Sequence, residues 1–126
     1  MPYLIGSDVL IDVSRGNQAA PDYVDGLEEG WAISQISTLE LMVGARDKRD
    51  LASIDGFLSG YLVLPLRDST GARAYELLKR YAKSHGLHVF DSLLAASAIE
   101  EGLTLVTRNR RHFGMIAGLS LDIAAY

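Results

Sequence analysis

The fold is decided by residues 91 to 107, whose sequence is DSLLAASAIEEGLTLVT. The first part, Asp91 to Glu101, is apolar on almost every side and rich in alanine, which is typical of a helix packed closely against a sheet. Gly102 is a natural helix end, and Leu103 to Thr107 form a short apolar run typical of a buried strand. This stretch therefore predicts a central helix that leads into a strand.

The same alternation of strand and helix continues on both sides of this stretch. Further strands are predicted at Tyr3–Ile5, Trp31–Ile33, Tyr61–Leu64 and Leu119–Leu121, and helical patterns begin near Asp8, Pro21, Ser37, Leu51 and Ser69, with a short helical turn ending at Phe113. Short strands separated by helices pair in parallel through right-handed crossovers. We therefore predict an α/β fold: a three-layer α/β/α sandwich with a parallel, roughly five-stranded sheet, over residues 1–126 as a single domain.

Length and composition limit the classes of protein to consider. The 126 residues are too few for two ordinary domains, and the 48% hydrophobic and 22% charged fractions are those of a globular chain. The absence of cysteine excludes disulfides and cysteine-ligated metal sites and fits a reducing compartment. With no long apolar stretch and no basic region at the start, we expect a cytoplasmic protein without a membrane segment.

The charge distribution is more informative than its total. A net charge of −4 at first counts against a nucleic-acid partner. However, the chain has four basic and ten acidic residues up to Val63, but eight basic and six acidic residues from Leu64 onward. Arg108, Arg110 and Arg111 form a basic group that is a candidate contact for an RNA backbone.

Polar side chains follow several predicted strands at the point where a helix begins. Ligands of an open parallel sheet bind at these carboxyl ends of the strands. The residues there are Ser7, Asp8, Ser37, Glu40, Asp91, Thr107 and Asn109. The three histidines, His85, His88 and His112, lack ligand spacing and are expected to have surface or packing roles.

Helix capping is the alternative role for these side chains. Asp8, Asp91 and Asn109 are good N-cap residues, and Ser37 to Glu40 fits the capping box. Taken singly, each is better explained by capping. Carboxylates that converge on one sheet edge repel one another unless a cation lies among them, and Mg²⁺ or Mn²⁺ prefers such oxygen ligands. Because such an ion activates water and neutralises charge in phosphoryl transfer, their convergence predicts a metal-dependent phosphodiesterase.

Four segments resemble the PIN-domain ribonucleases of the VapC toxin type and together span nearly the whole chain. In order, they are residues 3–12 (YLIGSDVLID), 36–44 (ISTLELMVG), 90–98 (FDSLLAASA) and 105–113 (LVTRNRRHF), the last followed by GLSL at 118–121. The resemblance implies a parallel five-stranded sandwich and endonucleolytic cleavage of RNA that depends on Mg²⁺ or Mn²⁺. It also implies a homodimer and inhibition by a cognate antitoxin protein whose tail enters the active site.

By position, the resemblance makes Glu40 and Asp91 the second and third acids of the site and places Asn109 at its fourth position. The first acid is missing, because Gly6 stands where the family has aspartate, with Ser7 and Asp8 next to it. A deliberate inactivating substitution is the favoured explanation, since an active toxin harms its host. A naturally weakened member and partial compensation by Asp8 are the other two.

We therefore expect Mg²⁺ to lie between Asp91, Glu40 and a residue of the Gly6–Asp8 segment. Glu40 would be a ligand or would orient the attacking water, while Ser7, Thr107 and Asn109 would hydrogen-bond the carboxylates or the phosphate. Gly6→Asp is predicted to raise RNA cleavage, and Asp91→Asn to remove it.

Two other functions are weighed against this one. A catalytically silent PIN fold that binds RNA or antitoxin is the alternative from a different class. A phosphoacceptor receiver domain has a similar length, but it needs an aspartate after the third strand and a lysine after the last. Here Pro65 follows the third predicted strand and no lysine follows Lys83, which disfavours a receiver.

Overall fold

The structure is a computed structural model that describes residues 2–126. Five strands alternate with seven helices among these residues. The strands are β1 (Tyr3–Ile5), β2 (Trp31–Ser34), β3 (Val63–Leu64), β4 (Thr104–Thr107) and β5 (Leu121–Ile123). The helices are α1 (Ser7–Ser14), α2 (Ala19–Asp25), α3 (Gln35–Val43), α4 (Lys48–Leu58), α5 (Thr70–His85), α6 (Val89–Glu101) and α7 (Arg110–Phe113).

The five strands form one parallel sheet in the order β3-β2-β1-β4-β5. β1 is central, and its Leu4 lies opposite Ala32 of β2 and Leu105 of β4. The predicted parallel, five-stranded α/β sheet is therefore confirmed. Parallel strands carry their carboxyl ends to the same edge of the sheet, so the helices that follow β1, β2 and β4 begin close together.

Each face of the sheet is covered by helices. Leu4 and Leu105 pack with Leu94 of α6 in one fully buried cluster, whereas Ile5 packs with Val9 of α1 in the cluster on the other face. Because neighbouring residues of a strand point to opposite faces, the short strands supply both clusters at once. This gives the predicted three layers.

α6 has the character expected of the central helix. Its residues Ala95, Ala96 and Ala98 are fully buried, so it lies close to the sheet. It ends at Gly102, whose φ of 67° is the left-handed conformation that glycine adopts most readily. The amino end of α6 points back to the sheet edge at which the other helices start.

Several element boundaries differ from the predicted ones. α3 begins two residues early, because Ser34 is its N-cap and accepts a hydrogen bond from the amide of Ile36. α6 begins at Val89 after the N-cap residue His88, so Asp91 lies inside its first turn. β5 runs over Leu121–Ile123 instead of 119–121, and β3 is limited to Val63–Leu64.

In the part of the chain that is described, residues 2–126, no helix has the length and apolar character needed to cross a membrane.

Candidate active site

A cleft of about 650 Å³ lies where α1, α3 and α7 follow β1, β2 and β4, beside the start of α6. It brings together residues that are far apart in the sequence. Its lining is Ser7, Asp8, Ile11, Glu40, His88, Val89, Phe90, Asp91, Leu94, Asn109, His112 and Phe113. All the predicted catalytic side chains, Ser7, Glu40, Asp91 and Asn109, are among them, together with Asp8.

Asp8 is held by the residues that follow β4. The Thr107 hydroxyl lies 3.0 Å from both of its carboxylate oxygens, and the Arg108 amide donates to Asp8 Oδ2 at 2.8 Å. Thr107 is fully buried, and its Oγ1 also accepts a hydrogen bond from the amide of Asn109. Asp8 is therefore fixed by contacts across the sheet edge, whereas the N-cap residue of α1 is Gly6.

Glu40 extends from α3 into the same cleft and is half-buried. Its Oε1 accepts a 2.6 Å hydrogen bond from the Ser7 hydroxyl, which also lies 2.9 Å from the hydroxyl of Ser37. Burial raises the pKa of Glu40, the Ser7 hydrogen bond opposes this, and the charges of Asp91 and Asp8 add to the increase. The predicted capping box is not formed, because Glu40 contacts Ser7 and the cap of α3 is Ser34.

Asp91 projects from the first turn of α6 and contacts a histidine of α7. His112 Nδ1 lies 3.0 Å from Asp91 Oδ2, and the His88 ring is 6.4 Å from that of His112. Burial raises the pKa of Asp91, while His112 and His88 oppose this increase and Asp8 adds to it. The expectation that His112 has only a surface or packing role is wrong. The signal for it is its spacing of three from Asn109, which places both side chains on one side of a short helix.

The three arginines of the predicted RNA contact differ in environment. Arg108 Nη1 lies 3.5 Å from Asp12 Oδ2, and its guanidinium lies 4.4 Å from the centre of the Tyr126 ring. The Tyr126 hydroxyl donates to the same Asp12 oxygen at 2.7 Å. Arg110 and Arg111 are exposed at the start of α7. Arg108 is thus engaged by neighbours, in contrast to the two exposed arginines beside the cleft.

A comparison with protein families identifies this arrangement of acids on a parallel sheet. The sequence profile of the PIN domain matches residues 3–119. The chain belongs to the PIN-domain family.

Individual relatives of this PIN domain share most of its length. Ribonuclease VapC10 of Mycobacterium tuberculosis is 37% identical, and the match covers 96% of this chain and 92% of the relative. The tRNA(fMet)-specific endonuclease VapC of Shigella flexneri is 26% identical, with 97% of each chain covered. VapBC2 of Rickettsia felis, solved bound to a fragment of its promoter DNA, contains a chain that superposes with a TM-score of 0.82 at 25% identity, covering 97% of this chain and 98% of that one.

The donor chemistry of this PIN domain fits a hydrated hard divalent ion. Asp8, Glu40 and Asp91 are all oxygen donors on one cleft. Among residues 2–126, no three Asp, Glu, His or Cys side chains lie close enough together to surround an ion directly. Mg²⁺ keeps several waters and is often bound by one or two carboxylates together with substrate phosphates. Asp91 and Glu40 are therefore suited to hold such an ion with water completing its coordination.

Position 6 of this PIN domain has no room for a side chain. Gly6 is buried, and its amide donates a 2.7 Å hydrogen bond to the carbonyl oxygen of Val106. A Cβ at this position would lie 2.7 Å from the same carbonyl oxygen and 2.9 Å from Asp8 Oδ1. Both distances are shorter than carbon and oxygen tolerate without a shift of the backbone. The close approach of β1 to β4 at this point therefore depends on glycine.

Proposed function

We propose that this chain is the toxin of a toxin–antitoxin pair and an endoribonuclease that depends on Mg²⁺ or Mn²⁺. One observation carries the proposal: carboxylates from α1, α3 and α6 line one cleft at the carboxyl ends of the strands in a PIN fold. The names of the relatives, which are ribonucleases and an endonuclease, support the reaction. RNA is therefore the proposed substrate class.

The side chains of the cleft divide the work between them. When bound, the ion lowers the pKa of a coordinated water and neutralises charge on the phosphate. Asp91 would hold it, and His112 would fix the orientation of the Asp91 carboxylate. Glu40, whose pKa burial raises toward neutrality, is suited to orient the attacking water and accept its proton. Ser7 fixes Glu40, and Asn109 faces the place where a phosphate oxygen would lie.

The metal dependence is tested by RNA cleavage with the purified chain. We expect cleavage within a broad RNA panel that includes tRNA when Mg²⁺ or Mn²⁺ is present, loss of cleavage with EDTA, and recovery when either ion is restored in excess. Cleavage that persists in EDTA would contradict the dependence on metal. Absence of cleavage with both ions across the panel would remove support for the enzyme.

A cognate antitoxin protein and a second copy of the chain are the proposed partners. Solved VapBC complexes among the structural neighbours support the antitoxin. The acidic cleft favours a basic antitoxin segment, because the charges of Asp8, Glu40 and Asp91 attract cations. The homodimer rests on the family resemblance.

A catalytically silent module that binds RNA or antitoxin is the second candidate function. Gly6 favours it, because the position of the family's first acid carries no carboxylate. RNA binding and RNA cleavage, measured on the same RNA at the same concentration of Mn²⁺, separate the two functions. Binding without cleavage would support the silent module.

The basic residues of α7 give a prediction about RNA affinity. The double variant Arg110→Ala/Arg111→Ala is expected to weaken RNA binding and to reduce the dependence of log K on log salt by roughly 1 to 2, since each lost phosphate contact removes about 0.7 to 1 of that slope. Arg108→Ala is expected to change the slope less, because Asp12 and Tyr126 already engage Arg108. Filter binding between about 50 and 200 mM salt measures both. An equal effect of Arg108→Ala would show that Arg108 leaves its neighbours to bind RNA.

A further inference from the structure

We infer that Asp8 supplies the negative charge that the family places at position 6, and that Gly6 is needed to make room for it. This inference rests on the proposed metal-dependent function. It makes the two positions a linked exchange, in which a carboxylate has moved from the end of β1 to the first turn of α1.

The first argument is steric. A side chain at position 6 would begin 2.9 Å from Asp8 Oδ1 and 2.7 Å from the carbonyl oxygen of Val106. The first of these neighbours is the Asp8 carboxylate itself, so the acid at position 8 occupies the space in which an acid at position 6 would start. The second neighbour is backbone of β4 and cannot rotate away. With Asp8 in place, position 6 must be glycine.

The second argument is that Asp8 is fixed as a functional carboxylate is fixed. Thr107 Oγ1 and the Arg108 amide donate three hydrogen bonds to its two oxygens, at 2.8 to 3.0 Å. These donors orient the carboxylate at the end of β4 and leave further lone pairs free, since an ionised carboxylate has about four acceptor sites. Thr107 is thereby a positioning residue, which acts through Asp8.

The third argument is location. Asp8 lines the cleft together with Glu40 and Asp91, and each of the three comes from a different helix. No three such side chains among the described residues surround one point closely, which fits an ion that Asp91 and Glu40 hold directly and Asp8 reaches through a coordinated water. Mg²⁺ and Mn²⁺ sites commonly keep such waters.

The test is the affinity of the full chain for Mn²⁺ alone, measured without RNA by the electron paramagnetic resonance signal of free Mn²⁺. We expect Asp8→Asn to lower the affinity by ~10-fold or more, the range in which groups around a metal act. Asp91→Asn, the reference for the proposed function, is expected to lower it at least as much. Asparagine keeps the size of each side chain and an oxygen that accepts hydrogen bonds, so folding should be retained, and circular dichroism checks this.

Thr107 provides a second set of variants. Thr107→Val removes the hydroxyl while keeping the shape, and we expect it to lower Mn²⁺ affinity by ~10-fold. Thr107→Ser keeps the hydroxyl and is expected to restore most of that affinity. A purely structural role of Thr107 would not distinguish the two variants in Mn²⁺ affinity after correction for the folded fraction.

Position 6 is tested in parallel. Gly6→Ala and Gly6→Asp introduce the same Cβ, so we expect both to lower the melting temperature, and Gly6→Asp alone is not expected to raise Mn²⁺ affinity. This differs from the expectation based on the sequence, which did not include the contact with Val106. The double variant Gly6→Asp/Asp8→Ser removes the carboxylate that competes for the space, and it should bind Mn²⁺ more tightly than Gly6→Asp.

The outcomes separate this inference from the function on which it rests. Unchanged Mn²⁺ affinity in Asp8→Asn, together with reduced affinity in Asp91→Asn, would overturn the role of Asp8 and leave the proposed function intact. Gly6→Asp with higher Mn²⁺ affinity and an unchanged melting temperature would overturn the linked exchange. A parent chain that binds no Mn²⁺ would overturn the metal-dependent function itself, and the inference with it.

Discussion

Asp91→Asn is expected to reduce RNA cleavage by more than ~100-fold, because it removes the charge from the carboxylate best placed to hold a divalent ion. Asp91 lies in the cleft at the amino end of α6, and His112 donates to one of its oxygens at 3.0 Å when Nδ1 is protonated. Loss of groups that only support a metal ligand costs about 10- to 100-fold, so loss of the ligand's charge should exceed that range. Initial rates of RNA cleavage at saturating Mg²⁺ measure the effect.

The control for this prediction is Glu76→Gln, which removes one negative charge from the exposed surface of α5. Glu76 pairs with Lys79 at 3.4 Å, well outside the cleft residues, and exposed pairs of this kind contribute little to stability. We expect this variant to cleave RNA at the parent rate. An Asp91→Asn protein that is folded and cleaves within a few-fold of the parent would refute the assignment of Asp91.

The fold could be predicted from the sequence because its strongest local patterns agree with its topology. The segment from Asp91 to Thr107 contains a buried helix, a glycine stop and a buried strand, and each of these is present. The boundary of α3 was harder to predict, since Ser34, Ser37 and Thr38 are all good caps. Ser34 caps the helix because the extended strand leads directly into it, and that depends on how β2 pairs with its neighbours.

The position of β5 depends on long-range pairing. The Ala124 amide donates to the Thr107 carbonyl and the Leu105 amide donates to Ser120, which sets the register two residues later than predicted. The pattern of leucines at 119 and 121 contains no information about these partners. A short edge strand with few apolar residues therefore has its position fixed by β4.

The acids of the site were predictable and their partners were not. Asp8, Glu40 and Asp91 lie near helix starts, and the topology of a parallel sheet brings such starts together. The contact between Asp91 and His112 joins α6 to α7, and that between Arg108 and Tyr126 joins the end of β4 to the last residue of the chain. Spacing rules operate within one helix or strand, so such contacts require the folded structure.

Glu40→Gln is expected to lower RNA cleavage by ~100-fold and to make the fold more stable at neutral pH. The activity falls because glutamine cannot accept the proton of the attacking water, and general bases contribute about 10²- to 10⁴-fold. The stability rises because burial and the charges of Asp91 and Asp8 oppose ionisation of Glu40, as its raised pKa reflects. Glutamine keeps an oxygen that can accept the hydrogen bond from Ser7 at this position.

The pH dependence distinguishes relief of charge from a change in packing. The pKa of Glu40 is higher in the folded protein than in the unfolded chain, so protonation stabilises the fold, and this contribution is lost as the pH rises through the folded value. The melting temperature of Glu40→Gln should therefore exceed that of the parent most at neutral pH and approach it below about pH 4. A difference that stays constant between pH 4 and pH 8 would show that packing, and not the Glu40 charge, sets the stability of the cleft. Because glutamate stands here despite opposing folding at neutral pH, a stability gain together with lost cleavage is the combination expected of a residue retained for function.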